Sequence, residues 1–442
     1  MNKSLHYWTT LSIFEMVILS IPLVIVLFSV ALMPLIAPKF WRKSEDITFL
    51  VISVFSIASV CTMLPEAGTV IKCALIDDYL PFIIMLFTLY VLGHGIHIRL
   101  KAPSSTLTNA SFLACGSILA SFIGTTGASM LLLRPFLAIN KDRLSKVHLI
   151  IFFIFLIANI GGLLTPLGDP PLLLGYLSGV DFSWELRNIT FYWLSYVIVC
   201  ITIFSIVDKI MTQRACHKSV KHRVSIKVRG LPHIVLIVAT VFILFFNFEH
   251  DFTLKLPYIC HCIVPHICLK NAILLGFCVI SFCLQRKQRE SVDLEAFKEV
   301  SKIFLVIFIV IAPVIFMLNQ NSDLIHRYIV NTSNGTDGAP IYFWLCAAAS
   351  SFLDNAPSYL LFFNMAGGDA GELMYTYPNI LKAISISAVV MGSMTYIGNA
   401  PNIMVKSMAA KNGIQMPSFL GYMTWSCLVI LPISFFVALA LK

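Results

Sequence analysis

The chain is short of charge. Only 12% of its 442 residues are Asp, Glu, Lys or Arg, about half of the roughly 25% found in soluble domains. Apolar residues reach 58% and the mean hydropathy is +0.87, which excludes a soluble enzyme and a disordered chain alike. His-Glu-x-x-His is absent, and so is Gly-x-x-x-x-Gly-Lys-Ser/Thr, so zinc hydrolysis and nucleotide hydrolysis lack their usual carriers. Acid is scarcer than base, 22 against 31 for a net charge of +9. An excess of base suits nucleic acid, but its placement gives another account.

What the chain has in abundance is apolar runs. A bilayer-crossing helix needs about 20 mostly apolar residues, and stretches near that length fall at 11–36, 47–64, 79–97, 147–166, 188–208, 231–247, 271–285, 303–318, 380–398 and 420–441. The first run is too long, and starts with too little base, for a cleavable signal peptide. Setting the loops around Lys39–Lys43, Arg99–Lys101, Lys141–Lys146, Lys209–Arg229, Arg286–Lys302 and Lys406–Lys411 on one side collects 22 of the 31 bases. That asymmetry marks a cytoplasmic face. The expected surroundings are a lipid bilayer, and no nucleic-acid partner is expected.

Two further apolar segments, 109–137 and 340–366, carry Gly, Pro and polar residues near their middles. Basic residues flank the first on both sides, so both of its ends belong to the cytoplasmic face. It satisfies that by entering and turning back, at Gly124-Thr125-Thr126-Gly127, where glycine permits the torsions of a turn. The second, between acidic or neutral loops, reads as the mirror image, turning at Asp354-Asn355-Ala356-Pro357. Five spans separate the two, an odd number, so they enter from opposite faces.

Shifting the chain by 230 residues lays the first turn on the second. It also lays Gly162-x-x-Thr165-x-x-Gly168-Asp169-Pro170-Pro171 on Gly392-x-x-Thr395-x-x-Gly398-Asn399-Ala400-Pro401. The expected fold is therefore an all-α membrane protein, an inverted-repeat secondary transporter with about ten transmembrane helices and two re-entrant hairpins. The first repeat spans 1–208, with hairpin 109–137 and broken helix 147–178. A cytoplasmic basic linker covers 209–230. The second repeat spans 231–442, with hairpin 340–366 and broken helix 380–403.

The breaks carry the chemistry. Proline and glycine stop Leu164–Pro171 and Met394–Pro401 from being continuous helix, and backbone freed at membrane depth is tolerated where it lines a cavity. A carboxylate at the bilayer centre costs roughly 2.5–3.5 kcal/mol on insertion scales. Only Glu15, Asp169 and Asp354 lie inside apolar segments; the other acids map to loops or span ends. Glu15 lies near a span end, within reach of the interface. Burial favours the protonated form of a carboxylate and a bound cation favours the ionised form. A site that holds a proton or Na⁺, but not both, exchanges one for the other as it faces each side in turn. Asn355, Thr125, Thr126, Thr165, Thr395, Asn399 and Asn402 are the candidate oxygen ligands beside the two aspartates. Gly124, Gly127, Gly162, Gly168, Pro170, Pro357, Gly398 and Pro401 shape the backbone. Asn159 and Asn364 read more simply as glue between helices.

At these residues the chain resembles the ion-transporter superfamily of NhaD-type sodium/proton antiporters, arsenite pumps and citrate or dicarboxylate transporters. Asn159-Ile-Gly-Gly-Leu-Leu-Thr-Pro-Leu-Gly-Asp-Pro-Pro171, Ser351-Phe-Leu-Asp-Asn-Ala-Pro357 and Thr395-Tyr-Ile-Gly-Asn-Ala-Pro-Asn402 carry the likeness, which runs from about residue 80 to the end. The Asp354-Asn355-x-Pro357 turn and the run ending at Asp169 look more like the antiporters, which implies Na⁺ and proton handling by these aspartates. Antiporters tend to carry Asp-Asn at the first turn too, where this chain has Gly124-Thr125. The Ser-Asn-Thr turns of sodium/dicarboxylate symporters are missing from both hairpins. The expected activity is Na⁺ or Li⁺ exchange for H⁺, with no cofactor beyond the transported ions, in a bacterial inner membrane. A homodimer is compatible with this class. Coupled citrate or dicarboxylate transport is the alternative, and its anion would need a base; Arg134 is the one inside an apolar segment. An intramembrane aspartyl protease is the remote third reading, and Asp354 lacks the Tyr-Asp context it needs. His94 and His97 are placed at the end of the third span. Cys260-His261-Cys262 with His266 and Cys268 fits no familiar zinc spacing and is expected in an external loop.

Overall fold

A computed structural model describes residues 13–64, 66–214, 225–245, 269–287, 294–332 and 338–441. The Cys260–Cys268 cluster lies outside the described residues. In chain order, α1 (Ile13–Ile36) and α2 (Pro38–Met63) precede α3 (Ala67–Lys72), which runs through a π-helical stretch, Cys73–Tyr79, into α4 (Leu80–His94). Then come α5 (Thr106–Ile123), α6 (Thr125–Ile139), α7 (Val147–Leu156), α8 (Pro170–Leu177), α9 (Trp184–Asn188) and α10 (Thr190–Arg214). The second part of the chain forms α11 (Leu231–Phe245), α12 (Leu269–Lys287), α13 (Glu295–Thr332), α14 (Ala339–Ser350) and α15 (Asn355–Met365). It ends with α16 (Ala370–Tyr375), α17 (Pro378–Met391), α18 (Ala400–Lys411) and α19 (Phe419–Ala440).

Seven helical stretches among the described residues are long and apolar enough to cross a bilayer. This is a multi-pass, all-α membrane protein. The first arm of the segment read as a hairpin, α5, reaches span length by itself. One expectation fails at the end of α4: the helix stops at His94, and His97 opens a strand. Residues His97–Lys101 (β1) pair antiparallel with Ser225–Arg229 (β2), with His97 opposite Arg229 and Lys101 opposite Ser225. Of the basic linker, residues 209–214 thus continue α10 and Ser225–Arg229 form β2. Gly230 (φ 95°) packs so closely on the Gly95 carbonyl that a Cβ would overlap it, which only glycine allows.

The two interrupted helices lie at the centre. Every residue of α7 from His148 to Leu156 is buried, and α17 is nearly as enclosed. A helix that is apolar all round has no face to give to solvent, and the run Val-His-Leu-Ile-Ile-Phe-Phe-Ile-Phe-Leu leaves α7 only that place. Around this centre α14 packs on α17, α5 on the 3-10 turn Ile160–Leu164, and α15 on both α8 and α13. The lipid-type surface falls to α2, α10 and α19, which expose Val54, Ile198 and Phe436 among others.

Candidate ion-binding site

Both breaks follow one local design. After α7 the chain makes a 3-10 turn, Ile160–Leu164, becomes extended at Thr165 (φ −142°, ψ 159°) and Asp169 (φ −151°, ψ 146°), and restarts as α8 on Pro170. After α17 it makes a 3-10 turn, Gly392–Met394, becomes extended at Thr395 (φ −132°, ψ 167°) and Asn399 (φ −153°, ψ 136°), and restarts as α18. Proline in the first helical turn loses nothing, because its missing N–H would have no partner there. Glycine is required inside each loop: a Cβ on Gly168 would overlap the Gly162 carbonyl, and one on Gly398 would overlap that of Gly392.

The helix-turn-helix segments lock onto these loops by matching bonds. Thr165 Oγ1 donates to the Ser121 carbonyl at the end of α5, and Thr395 Oγ1 donates to that of Ser351 at 2.6 Å. The two turns are also alike in backbone, Gly124 at φ 82°, ψ 147° and Asp354 at φ 62°, ψ 146°. All these pairs stand 230 residues apart. The torsions of Gly124 and Asp354 lie in a region populated almost only by glycine, at a cost of about 1–3 kcal/mol for another residue. Asp354 alone among the described non-glycine residues has a positive φ.

The four segments converge on Asp169, which is 2% exposed. Thr125 Oγ1, at the start of α6, donates to Asp169 Oδ1 at 2.6 Å, and Asn355 Nδ2, at the start of α15, donates to Oδ2. The Thr125 amide meets the Gly168 carbonyl at 2.8 Å. No Lys, Arg or His among the described residues forms an ion pair with Asp169, and Asn355 Oδ1 is buried without a donor. The site therefore holds a buried acid with neutral partners and one spare acceptor oxygen.

A second cluster joins the breaks directly. Asn159 Nδ2 donates to Asn402 Oδ1 at 2.7 Å, and Asn399 Nδ2 donates to Asn159 Oδ1 at 3.2 Å and to the Ala158 carbonyl at 3.2 Å. Asn402 Nδ2 donates to the Gly392 and Thr395 carbonyls. Asn159 is glue between helices, as read from the sequence, and the segments it joins are the two breaks. Asn364, read as glue between helices, donates within its own helix instead, to the Leu360 carbonyl. Thr126 is half-buried and shares no hydrogen bond with either cluster, and Gly127 has open space beside it. Pro357 and Pro401 are buried in the first turns of α15 and α18. Asp354 is half-buried beside the Asp169 cluster's Asn355, but it does not hydrogen-bond Asp169, as a shared-proton aspartyl pair would.

Arg134, the base an anion site would have called on, is exposed on α6. The base that reaches a break is Lys406 on α18, whose Nζ lies 4.0 Å from the centre of the Tyr396 ring. Tyr396 in turn stacks on Tyr422 at 4.1 Å, and Tyr422 donates to the Ser393 carbonyl at 2.9 Å. Charged residues expected in loops are also buried. Arg143 and His148 both meet Asp208 Oδ1, His148 at 2.8 Å, while Thr106 donates to Oδ2 at 2.6 Å. This cluster fastens the starts of α5 and α7 to the far end of α10. No local sequence signal marks it, because its partners stand 60 or more residues apart.

Interrupted helices meeting at a buried acid inside a bundle of apolar helices define a transport protein of the secondary type. Comparison with known families agrees: residues 13–441 match the family described as "Putative citrate transport", and the chain belongs to that family. Comparison with curated proteins gave no match.

Proposed function

We propose that the chain exchanges Na⁺ or Li⁺ for H⁺ at Asp169, alternating access between the two sides of a bacterial inner membrane. The carrying observation is the buried carboxylate of Asp169 with only neutral donors around it. An isolated charge is too costly to leave in such a place, so either a proton or a metal cation must neutralise it, and the two compete. The Asn355 side-chain oxygen, without a donor in the fold, is suited to a hard cation, as are the Thr125 hydroxyl and the loop carbonyls. In this reading α5–α6 and α14–α15 are re-entrant hairpins, about ten helices span the bilayer, and residues 1–208 and 231–442 are inverted repeats. The matching torsions and bonds at an offset of 230 residues support that arrangement. Asp354 acts beside Asp169, its strained backbone being tolerated for the sake of its side chain.

A second reading, coupled transport of citrate or a dicarboxylate, draws on the family description and on Lys406, a base next to the second break. Asp169 keeps its role as the coupling-ion site in both. Proteoliposomes with an acidic interior and a pH dye separate them. Alkalinisation driven by Na⁺ or Li⁺ alone, and absent in Asp169→Asn, is the expected result. A signal from citrate or succinate only would overturn exchange and give the substrate to Lys406.

A further inference from the structure

Glu185 is a buried acid that the Asp169 site does not use. It sits on the short helix α9, is fully buried, and neither carboxylate oxygen has a hydrogen-bond partner. The hydroxyl of Tyr359, on α15, lies within electrostatic reach of it and next to Ser385 of α17; both hydroxyls are buried and unpartnered by geometry as well. Three polar groups with no partner in one interior region are unusual, since buried polar groups are almost always paired. Their position is informative. Tyr359 stands one helical turn beyond Asn355 on the same face of α15, and its hydroxyl occupies the space a side chain at Gly175 would need. Gly175 lies on α8, the eight-residue helix that Asp169 immediately precedes. Asp208 and His148 join one end of α10 to the start of α7, whereas α9 precedes the other end, roughly 27 Å away at 1.5 Å per residue. Glu185 is thus on the far side of Asp169 from the Arg143–Asp208 cluster.

We propose that Glu185 is a second proton-binding carboxylate, separate from the Asp169 site, through which protons reach that site from the α9 end of the molecule, by way of the unpartnered Tyr359 hydroxyl. Binding turns the carboxylate and one proton into a neutral acid, and release reverses this; no other group is consumed. Burial pushes the Glu185 carboxyl up to about 8, and the charge of Asp181 in the preceding turn adds to the rise. The other elements packed on α9, the 3-10 turn Ile160–Leu164 and the near end of α10, bring no charged side chain to it. Arg187, on α9 itself, is exposed. An acid of this kind is protonated at neutral pH and gives up its proton just above it.

The inference rests on the proton-coupled reading above, and its test is chosen to fail separately. Full-length wild type, Glu185→Gln, Glu185→Asp, Tyr359→Phe and Asp169→Asn are compared in proteoliposomes for Na⁺-driven proton movement and for labelled Na⁺ self-exchange at equal pH. Infrared difference spectra against pH follow the protonated carboxyl band. Glu185→Gln should lower proton movement by about tenfold or more, as loss of a proton carrier does, while leaving self-exchange intact. It should also remove an acid band that titrates near 8. Tyr359→Phe should slow proton movement in part, Glu185→Asp should shift its pH profile, and Asp169→Asn should lose both fluxes. Wild-type proton movement in Glu185→Gln overturns the proposal, and so does loss of self-exchange along with it. If wild type moves no protons with Na⁺, the exchange reading falls, and the infrared band still decides whether Glu185 carries a titrating proton.

Discussion

Asp169 and Asp208 are both buried aspartates, 2% and 0% exposed, and the same substitution should affect them oppositely. In Asp208→Asn the guanidinium of Arg143, 6% exposed, loses its counter-charge, and His148 loses its carboxylate. Stranding one member of a buried ion pair costs about 3–5 kcal/mol. In Asp169→Asn no charge is stranded, and the count of unpaired groups at Asn355 stays the same, its amide nitrogen taking the place its oxygen leaves. The new side-chain oxygen still accepts from Thr125, the new amide donates to Asn355 once that amide rotates, and the Asn355 oxygen gains the donor it lacks. The chain already places asparagine in this backbone geometry, at Asn399. Each kcal/mol moves the melting midpoint by about 1–2 °C when the known size dependence is extended to this length, so Asp208→Asn should melt roughly 3–10 °C lower. Asp169→Asn should melt at or above wild type while losing transport. Thermal unfolding of the purified protein, read by a thiol dye reaching the buried Cys200, Cys278 and Cys346, measures both. Equal destabilisation of the two variants would refute the argument that Asp169 is a charge without a base.

Asp354→Gly removes a side chain but relieves a backbone conformation that suits glycine, and should stabilise the protein by about 1–3 kcal/mol; if Asp354 binds the transported ion, the more stable variant will not transport. Gly168→Ala places a methyl group on the Gly162 carbonyl and should abolish accumulation of folded protein, seen as loss of the monodisperse peak in detergent. Thr395→Val removes the 2.6 Å bond to the Ser351 carbonyl and should cost about 1–3 kcal/mol, the price of a buried acceptor left unpaired. Lys406→Ala should leave Na⁺-driven exchange unchanged and reduce transport only if the substrate is a carboxylate, which labelled citrate uptake measures.

Much of this molecule was legible in order along the chain. The apolar runs 147–166, 188–208 and 420–441 became α7 with its 3-10 turn, α10 and α19, because a hydrophobic stretch of bilayer length has few other ways to satisfy its backbone. Gly-Pro punctuation located both breaks to within a few residues, since proline cannot continue a helix and glycine permits the torsions of the loops. Thr125, Asn355 and Asp169 were all among the candidates that residue type picked out at turns and breaks, and the structure brings them together.

What the sequence by itself determined is therefore the medium, the helices, and the places where they stop. Only the tertiary structure decided which polar groups face one another. Arg143, His148 and Asp208 looked like loop or span-end charges until packing made them one buried cluster. Glu185 looked like a loop acid until α9 packed against the 3-10 turn Ile160–Leu164 and the start of α10 and buried it. Asn159 became a bridge between the breaks, and Lys406 replaced Arg134 as the base beside them. The physical reason is range. Hydropathy, helix stops and turn torsions are properties of neighbouring residues, whereas the burial and pairing of a charge depend on which distant segment the packed helices bring against it.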